Sequence, residues 1–182
     1  IRDRLYMIYI NGRFLINNPT GIENFAYGMC KAMLEKGIKF IILTPKSAIR
    51  SYDVIGFDMI KIGLFTGPLW EQIDLSFFMI GKSRDILISF SGAGSLIIKN
   101  QIITIHDVAV FQHPEWFSKT YSILYKTITP IIARKSKAIL TVSEFSKREI
   151  TNLFGINSDK VIVTYSSPKN YSKCDLIREQ QN

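Results

Sequence analysis

Cysteine is nearly absent: Cys30 and Cys174 are the only two in 182 residues. Two thiols cannot build a disulfide framework or a cysteine-rich metal cluster, and such sparing use suits a reducing cytosol. Long apolar runs are absent too. No uncharged stretch approaches the roughly 20 residues that span a bilayer. The opening Ile-Arg-Asp-Arg leads straight into a strand pattern. It lacks the apolar core and small-residue cleavage site of a signal peptide, so the expectation is a cytoplasmic chain. Internal repeats and low-complexity segments are missing. So are the GxGxxG and Walker patterns, since Gly12 and Gly21 fit neither. That excludes the standard dinucleotide and P-loop phosphate sites.

What is present is the composition of an ordinary globular domain. Hydrophobic residues make up 47%, and the length suffices for one α/β domain with a substantial core. The formal net charge of +8 favours anionic partners such as nucleotide phosphates, anionic lipid headgroups or nucleic acid. Nucleic acid is the weakest of these. No recognition module and no basic stretch interleaved with aromatics is present.

Strand-like and helix-like segments alternate along the chain. Strands are expected over residues 5–10, 38–44, 59–63, 85–90, 102–105, 138–142 and 161–164. Between them, Ile22, Phe25, Ala26, Met29, Cys30 and Met33 recur at helical spacing, which predicts a helix from Gly21 to Glu35 closed by Gly37. Thr20 and Glu23 have the spacing of a capping box. Residues 46–57 read as a connection with a short helix. Pro68–Met79 reads as a helix whose Leu69, Ile73, Phe77 and Ile80 form a core stripe. Residues 115–135 carry a longer helical pattern that Pro130 should kink or divide. Its Lys119, Lys126, Arg134 and Lys135, with Lys137 beyond, form either a solvated face or a patch for headgroups. Ser143 caps a helix from Glu144 to Phe154, ended by Gly155. Residues 165–182 read as a polar tail. This alternation predicts a single α/β domain, residues 1–182. Its sheet is doubly wound and mostly parallel, with six or seven strands and helices on both faces.

The most informative stretch is Gln101–Pro114, QIITIHDVAVFQHP. The β-branched run of residues 102–105 is a strand buried on both faces, and it ends abruptly in His106 and Asp107. In open α/β sheets, ligands bind beyond the carboxyl ends of the strands. An imidazole next to a carboxylate at that edge is a candidate catalytic pair, because histidine titrates near neutrality and a carboxylate can set its tautomer. Two further strand ends offer ligand contacts. One is the loop Asn11, Gly12 and Arg13 leading to the helix start at Thr20, Gly21 and Glu23, where free N–H groups suit a phosphate. The other is the small-residue loop of residues 91–95.

Together, YINGRFL, TGIENFA, LWEQIDL, TIHDVAVFQHPEWF and AILTVSEFSKREI resemble the N-terminal domain of glycosyltransferase family 4. The resemblance is strongest to mannosyltransferase-like members that build O-antigens and other surface polysaccharides. It implies a Rossmann-like domain that is one half of a retaining GT-B enzyme. Catalysis would fall to His106, which would reach the transferred sugar, and to Asp107, which would orient it or contact the acceptor. Asn11, Gly12, Arg13, Thr20, Gly21 and Glu23 would lie near the donor diphosphate and the acceptor. Ser143, Glu144 and Ser146 would line the cleft from a helix start. No metal and no cofactor is implied. The donor, a GDP- or UDP-sugar, would bind a C-terminal domain that is missing from these 182 residues. The chain alone is therefore expected to be inactive. The acceptor would be a glycan or lipid-linked glycan, with the enzyme peripheral on the inner face of the plasma membrane, held by anionic lipid. The alternative expectation is a non-catalytic Rossmann-like module that docks a partner chain or a membrane surface.

Overall fold

The computed structural model describes residues 6–47 and 52–165. Strands β1 (Ile8–Asn11), β2 (Ile41–Thr44), β3 (Met59–Lys61), β4 (Ile86–Ser89), β5 (Gln101–Thr104), β6 (Ala138–Thr141) and β7 (Val161–Val163) form one sheet. Its order is β3-β2-β1-β4-β5-β6-β7, and every neighbouring pair is parallel. The expected Rossmann-like α/β sheet is therefore present. It has seven strands and is wholly rather than mostly parallel.

Successive side chains along each strand enter opposite cores, as the pleat requires. Ile10, Ile42 and Ile88 pack with Ala26 and Cys30 of α1 (Gly21–Glu35) on one face. Tyr9, Leu43 and Leu87 pack on the other face with Trp70, Leu75 and Met79. Those three lie on a helical run made of α2 (Gly67–Trp70), a π-turn (Glu71–Leu75) and α3 (Ser76–Met79). Further along that face, Ile103, Ile139 and Val161 meet α5 (Lys119–Lys135) and α6 (Glu144–Phe154) through Ile132, Ile150 and Phe154. Helices thus cover both faces. The chain runs β1 to β2 to β3 in one direction, then returns to β4, which places the reversal of strand order between β1 and β4. Right-handed crossovers put helices on opposite faces on either side of such a reversal.

Cap chemistry holds at both ends of α6 and fails at the start of α1. The Ser143 hydroxyl accepts the Ser146 N–H at 3.1 Å, and Gly155 closes α6 at φ 61°. The expected capping box at α1 does not form. Thr20 makes no side-chain cap, and its hydroxyl instead donates to the Glu23 carboxylate. That carboxylate also accepts from Asn17 Nδ2 at 3.1 Å, so Glu23 turns away from the helix backbone.

Other expectations are corrected as well. Leu69, Phe77 and Ile80 are 58%, 70% and 55% exposed, not core. The π-turn is the reason. It inserts one residue into the helical repeat, so the buried positions step by five, from Trp70 to Leu75 and from Glu71 to Ser76. The long helix begins at Lys119 rather than residue 115, capped by Ser118, after a short α4 (Ala109–Gln112) and a 3₁₀ turn at Pro114–Trp116. It runs through Pro130 undivided. Among the described residues of the 46–57 connection there is no helix. Of the expected tail only Tyr165 is described, and residues 166–182, Cys174 included, lie outside the described residues. No helix among the described residues is long and apolar enough to cross a membrane.

Candidate functional site

The central strands end on small buried polar residues: Asn11 on β1, Thr44 on β2, Ser89 on β4, Thr104 on β5 and Thr141 on β6. A cavity of about 250 Å³ opens just beyond the ends of β1, β4 and β5. This is the crevice beside the reversal of strand order, where open parallel sheets hold their ligands. Arg13 follows β1, Ser91, Gly92 and Ala93 follow β4, and Ile105, His106 and Asp107 follow β5. Ile22 and Glu23 approach from α1, while Phe117, Tyr121 and Tyr125 approach from α5 and the turn before it.

His106 is the best-defined chemical group here. Its Nε2 stands 3.2 Å from the Phe90 carbonyl oxygen, and its ring meets Phe25 edge-on at 5.1 Å. A carbonyl only accepts, so Nε2 carries the proton and Nδ1 is left as an acceptor. Burial lowers the imidazole's pKa from its ordinary value; the Phe90 carbonyl, Asp107 and Glu23 pull the other way without prevailing. The ring is thus a neutral acceptor at physiological pH. Asp107 makes no hydrogen bond to it. Asp107 Oδ1 accepts the Ala109 N–H at 2.9 Å, so the Phe90 carbonyl holds the imidazole and Asp107 shapes the turn into α4.

Beneath the cavity lies a buried ion pair. Arg13 Nη1 is 2.6 Å from Glu71 Oε2, and the Glu71 side chain is fully buried. Asn11 Nδ2 donates to Glu71 Oε1 at 2.7 Å and to Ser89 Oγ at 3.2 Å. Burial raises the Glu71 pKa, while Arg13, Asn11 and the Ala93 N–H draw it back. Burial also acts to lower the Arg13 pKa, but Glu71 and the nearby Tyr125 outweigh it and the guanidinium stays charged. Two glycines make this packing possible. A Cβ on Gly92, at φ 79°, would sit 2.0 Å from Glu71 Oε1. A Cβ on Gly12 would sit 2.4 Å from Ile42 Cγ2 and 2.6 Å from the Leu43 carbonyl oxygen.

The residues singled out from the sequence therefore divide. Arg13, Glu23, His106 and Asp107 line the cavity. Asn11 and Gly12 are buried below it, with Asn11 supporting Glu71 and Gly12 allowing close approach to β2. Thr20 and Gly21 are exposed at the start of α1, outside the cavity lining. Ser143, Glu144 and Ser146 form the cap of α6 beyond β6 and do not line it either. Sequence reasoning missed Glu71, Thr104, Tyr121 and Tyr125. Acids inside the apolar segment LWEQIDL, and aromatics spaced by four at 117, 121 and 125, were the available signals.

The strand order defines a Rossmann-like α/β domain with a cavity at its carboxyl edge. More narrowly, the chain belongs to glycosyltransferase family 4, whose model matches residues 19–166. Over 85 residues it is 28% identical to the O-antigen chain mannosyltransferase RfbU of Salmonella typhimurium, covering 47% of this chain and 23% of that protein. Over 67 residues it is 31% identical to the O-antigen chain mannosyltransferase B of Escherichia coli, covering 37% of this chain and 18% of that one. The matched stretches are thus less than a quarter of the length of these curated relatives.

Proposed function

We propose that this chain is the N-terminal, acceptor-side domain of a retaining, sugar-nucleotide-dependent glycosyltransferase of GT-B architecture. It serves transfer of a hexose, mannose by analogy with the relatives, onto a growing surface polysaccharide or lipid-linked glycan. The donor is a GDP- or UDP-sugar held by a second domain outside these residues. The enzyme works in the cytoplasm, peripheral on the inner face of the plasma membrane. The observation that carries the reading is the neutral His106, with Nε2–H committed to Phe90 and Nδ1 free at the cavity wall. Such a group accepts a sugar hydroxyl and fixes the ring. It is not the obligatory base. The bond from the anomeric carbon to the diphosphate breaks with its electron pair going to the phosphate, which then takes the acceptor's proton as the acceptor oxygen bonds to that carbon. Charge stabilisation at the diphosphate falls to the second domain.

The test is transfer by the longer polypeptide that carries both domains, with and without His106→Ala. Loss of a positioning contact is expected to reduce the rate on the order of 10²-fold, with the thermal midpoint unchanged. A fallen midpoint with a normal rate below it would make His106 structural and sink the reading. The 182-residue chain by itself is expected to give no turnover; measurable transfer by it would refute the assignment of the donor site to another domain.

The alternative, a module that docks a surface, has one observation in its favour. Leu69, Phe77 and Ile80 are exposed along the α2–α3 run, and Leu64 nearby is 85% exposed. The exposed charges of this stretch are Lys61 and Arg84, with Lys82 half-buried against Phe78. An apolar face with basic residues beside it suits an anionic bilayer. Sedimentation with anionic and neutral vesicles at low salt, using wild type and Phe77→Asp, decides it: equal binding to both vesicle types would eliminate it.

A further inference from the structure

Helix α5 is held unevenly along its length. Beyond Pro130 it is anchored: Ile132 and Ala133 are fully buried, and the Ser136 hydroxyl donates to the Ile132 carbonyl at 2.7 Å. Before Pro130 the grip is weaker. Between Lys119 and Thr127 only Ser122 is buried, and its hydroxyl donates at 3.2 Å to the carbonyl of Pro114, a neighbour in the same segment. Phe117, Tyr121 and Tyr125 stack on one another, with ring centroids 5.5 and 4.1 Å apart. Residues 114–126 are thus bound mainly to themselves. Their main links to the rest of the domain are Leu124 and Tyr125, partly buried against the core, and the Arg13 guanidinium beside the Tyr125 phenol.

The junction with the anchored half is chemically loosened. Pro130 lies inside the helix. It has no N–H, so the Lys126 carbonyl loses its helical donor, and the ring crowds that carbonyl. One turn earlier the Thr127 hydroxyl donates to the Ile123 carbonyl at 2.8 Å, a bond that bends helices. The other end of the segment is also fixed. Phe111 meets Phe154 edge-on at 5.1 Å and Gln112 donates to Glu149, so α4 is pinned to α6. The chain then turns at His113, with φ −128° and ψ 61°, into the 3₁₀ turn. A self-contained segment therefore lies between two fixed ends, each with a break beside it. Its inner side places Phe117, Tyr121 and Tyr125 on the cavity wall. Its outer side carries Trp116 and Ile123, each 68% exposed. Segments with few buried apolar contacts are the ones that move while the rest of a fold stays intact.

We propose that residues 114–126 are a flap over the cavity, swinging between His113 and Pro130 and latched shut by Arg13 against Tyr125. Opening carries the aromatic wall away from the strand ends; closing restores it. Arg13 thereby has two tasks, since the same guanidinium that pairs with Glu71 ties the flap to the turn after β1. The device belongs to the fold and stands whatever ligand the cavity takes.

Pulsed electron–electron resonance on the 182-residue chain tests it. Nitroxides are attached to introduced cysteines in a Cys174→Ser background, where Cys30 is buried. The flap pair is Ile123→Cys with Lys31→Cys. The control pair, on α6 and α1, is Leu153→Cys with Lys31→Cys. All three positions are exposed, so the labels leave the core intact. The control is expected to give one narrow distance distribution and the flap pair a second, displaced population. Tyr125→Phe keeps the ring and removes the latch, and should raise the ratio of open to closed by about three- to tenfold, the value of one hydrogen bond. Pro130→Ala restores the missing helical donor and should lower the open population. A flap-pair distribution as narrow as the control in both wild type and Tyr125→Phe would overturn the proposal. So would a second population that either variant leaves unmoved or moves in the opposite direction.

Discussion

Arg13 and Glu71 face each other at 2.6 Å across the point where the strand order reverses. One comes from the turn after β1, the other from the π-turn 58 residues later. The pair ties the cavity floor to the helix behind it. Removing one partner strands a charge in the interior. Glu71→Gln is expected to lower unfolding free energy by about 3 kcal/mol, read from urea denaturation. Pairing it with Arg13→Met should recover a large part of that loss; strict additivity of the two changes would mean that the contact carries no coupling.

Gly92 is the second lock on Glu71. Alanine there meets both an unfavourable φ of 79° and a carboxylate oxygen 2.0 Å from the new Cβ. The backbone term alone is about 1–2 kcal/mol, and a chain of this size loses about 2–4 °C of thermal midpoint per kcal/mol. Gly92→Ala should therefore lower Tm by at least about 2 °C in calorimetry, whereas Gly21→Ala, with open space around its Cβ position, should change it little.

His106 gives stability a pH slope of known sign. Burial lowers its folded pKa below the unfolded value of 6.5. On acidification the unfolded chain takes up the proton first, so this stabilisation is complete above pH 6.5 and drains as pH falls below it. Urea midpoints compared at about pH 7.5 and about pH 5.5 should fall less for His106→Gln than for wild type. A larger fall in the variant would contradict the neutral buried imidazole.

Cys30 is enclosed on α1, and burial pushes its thiol up to about 12. In a Cys174→Ser variant the native protein should resist aromatic disulfide reagents at neutral pH and react only when denatured. Rapid reaction of the native variant would show that the α1 core opens readily.

Much of the fold was legible because its signals are local. Strand β5 and helices α1 and α6 announce themselves through β-branched runs, helical periodicity, Ser143 and Gly155. His106 was legible as well, since it stands where an apolar strand stops. The stripe through Leu69 and Phe77 was misread because periodicity assumes an unbroken α-helix, and nothing in EQIDL advertises a π-turn. Thr20 was misread because Asn17 and Thr20 draw Glu23 into another contact. Glu71 showed only as an acid in an apolar segment, and Thr104 gave no signal at all. Their roles depend on Arg13 and on the cavity, which come together only when distant segments fold.

The π-turn also acts as a length gauge. It lets Glu71 reach Arg13 and Ser76 reach Ser95, at 2.7 Å, from the same inward side of one helix. Those anchors are five residues apart, a spacing that a plain α-helix would rotate out of line. A homologous sequence shorter by one residue between Trp70 and Met79 would have to abandon one anchor. Deletions in that window should therefore be far less tolerated than substitutions at Phe77, where the side chain faces outward.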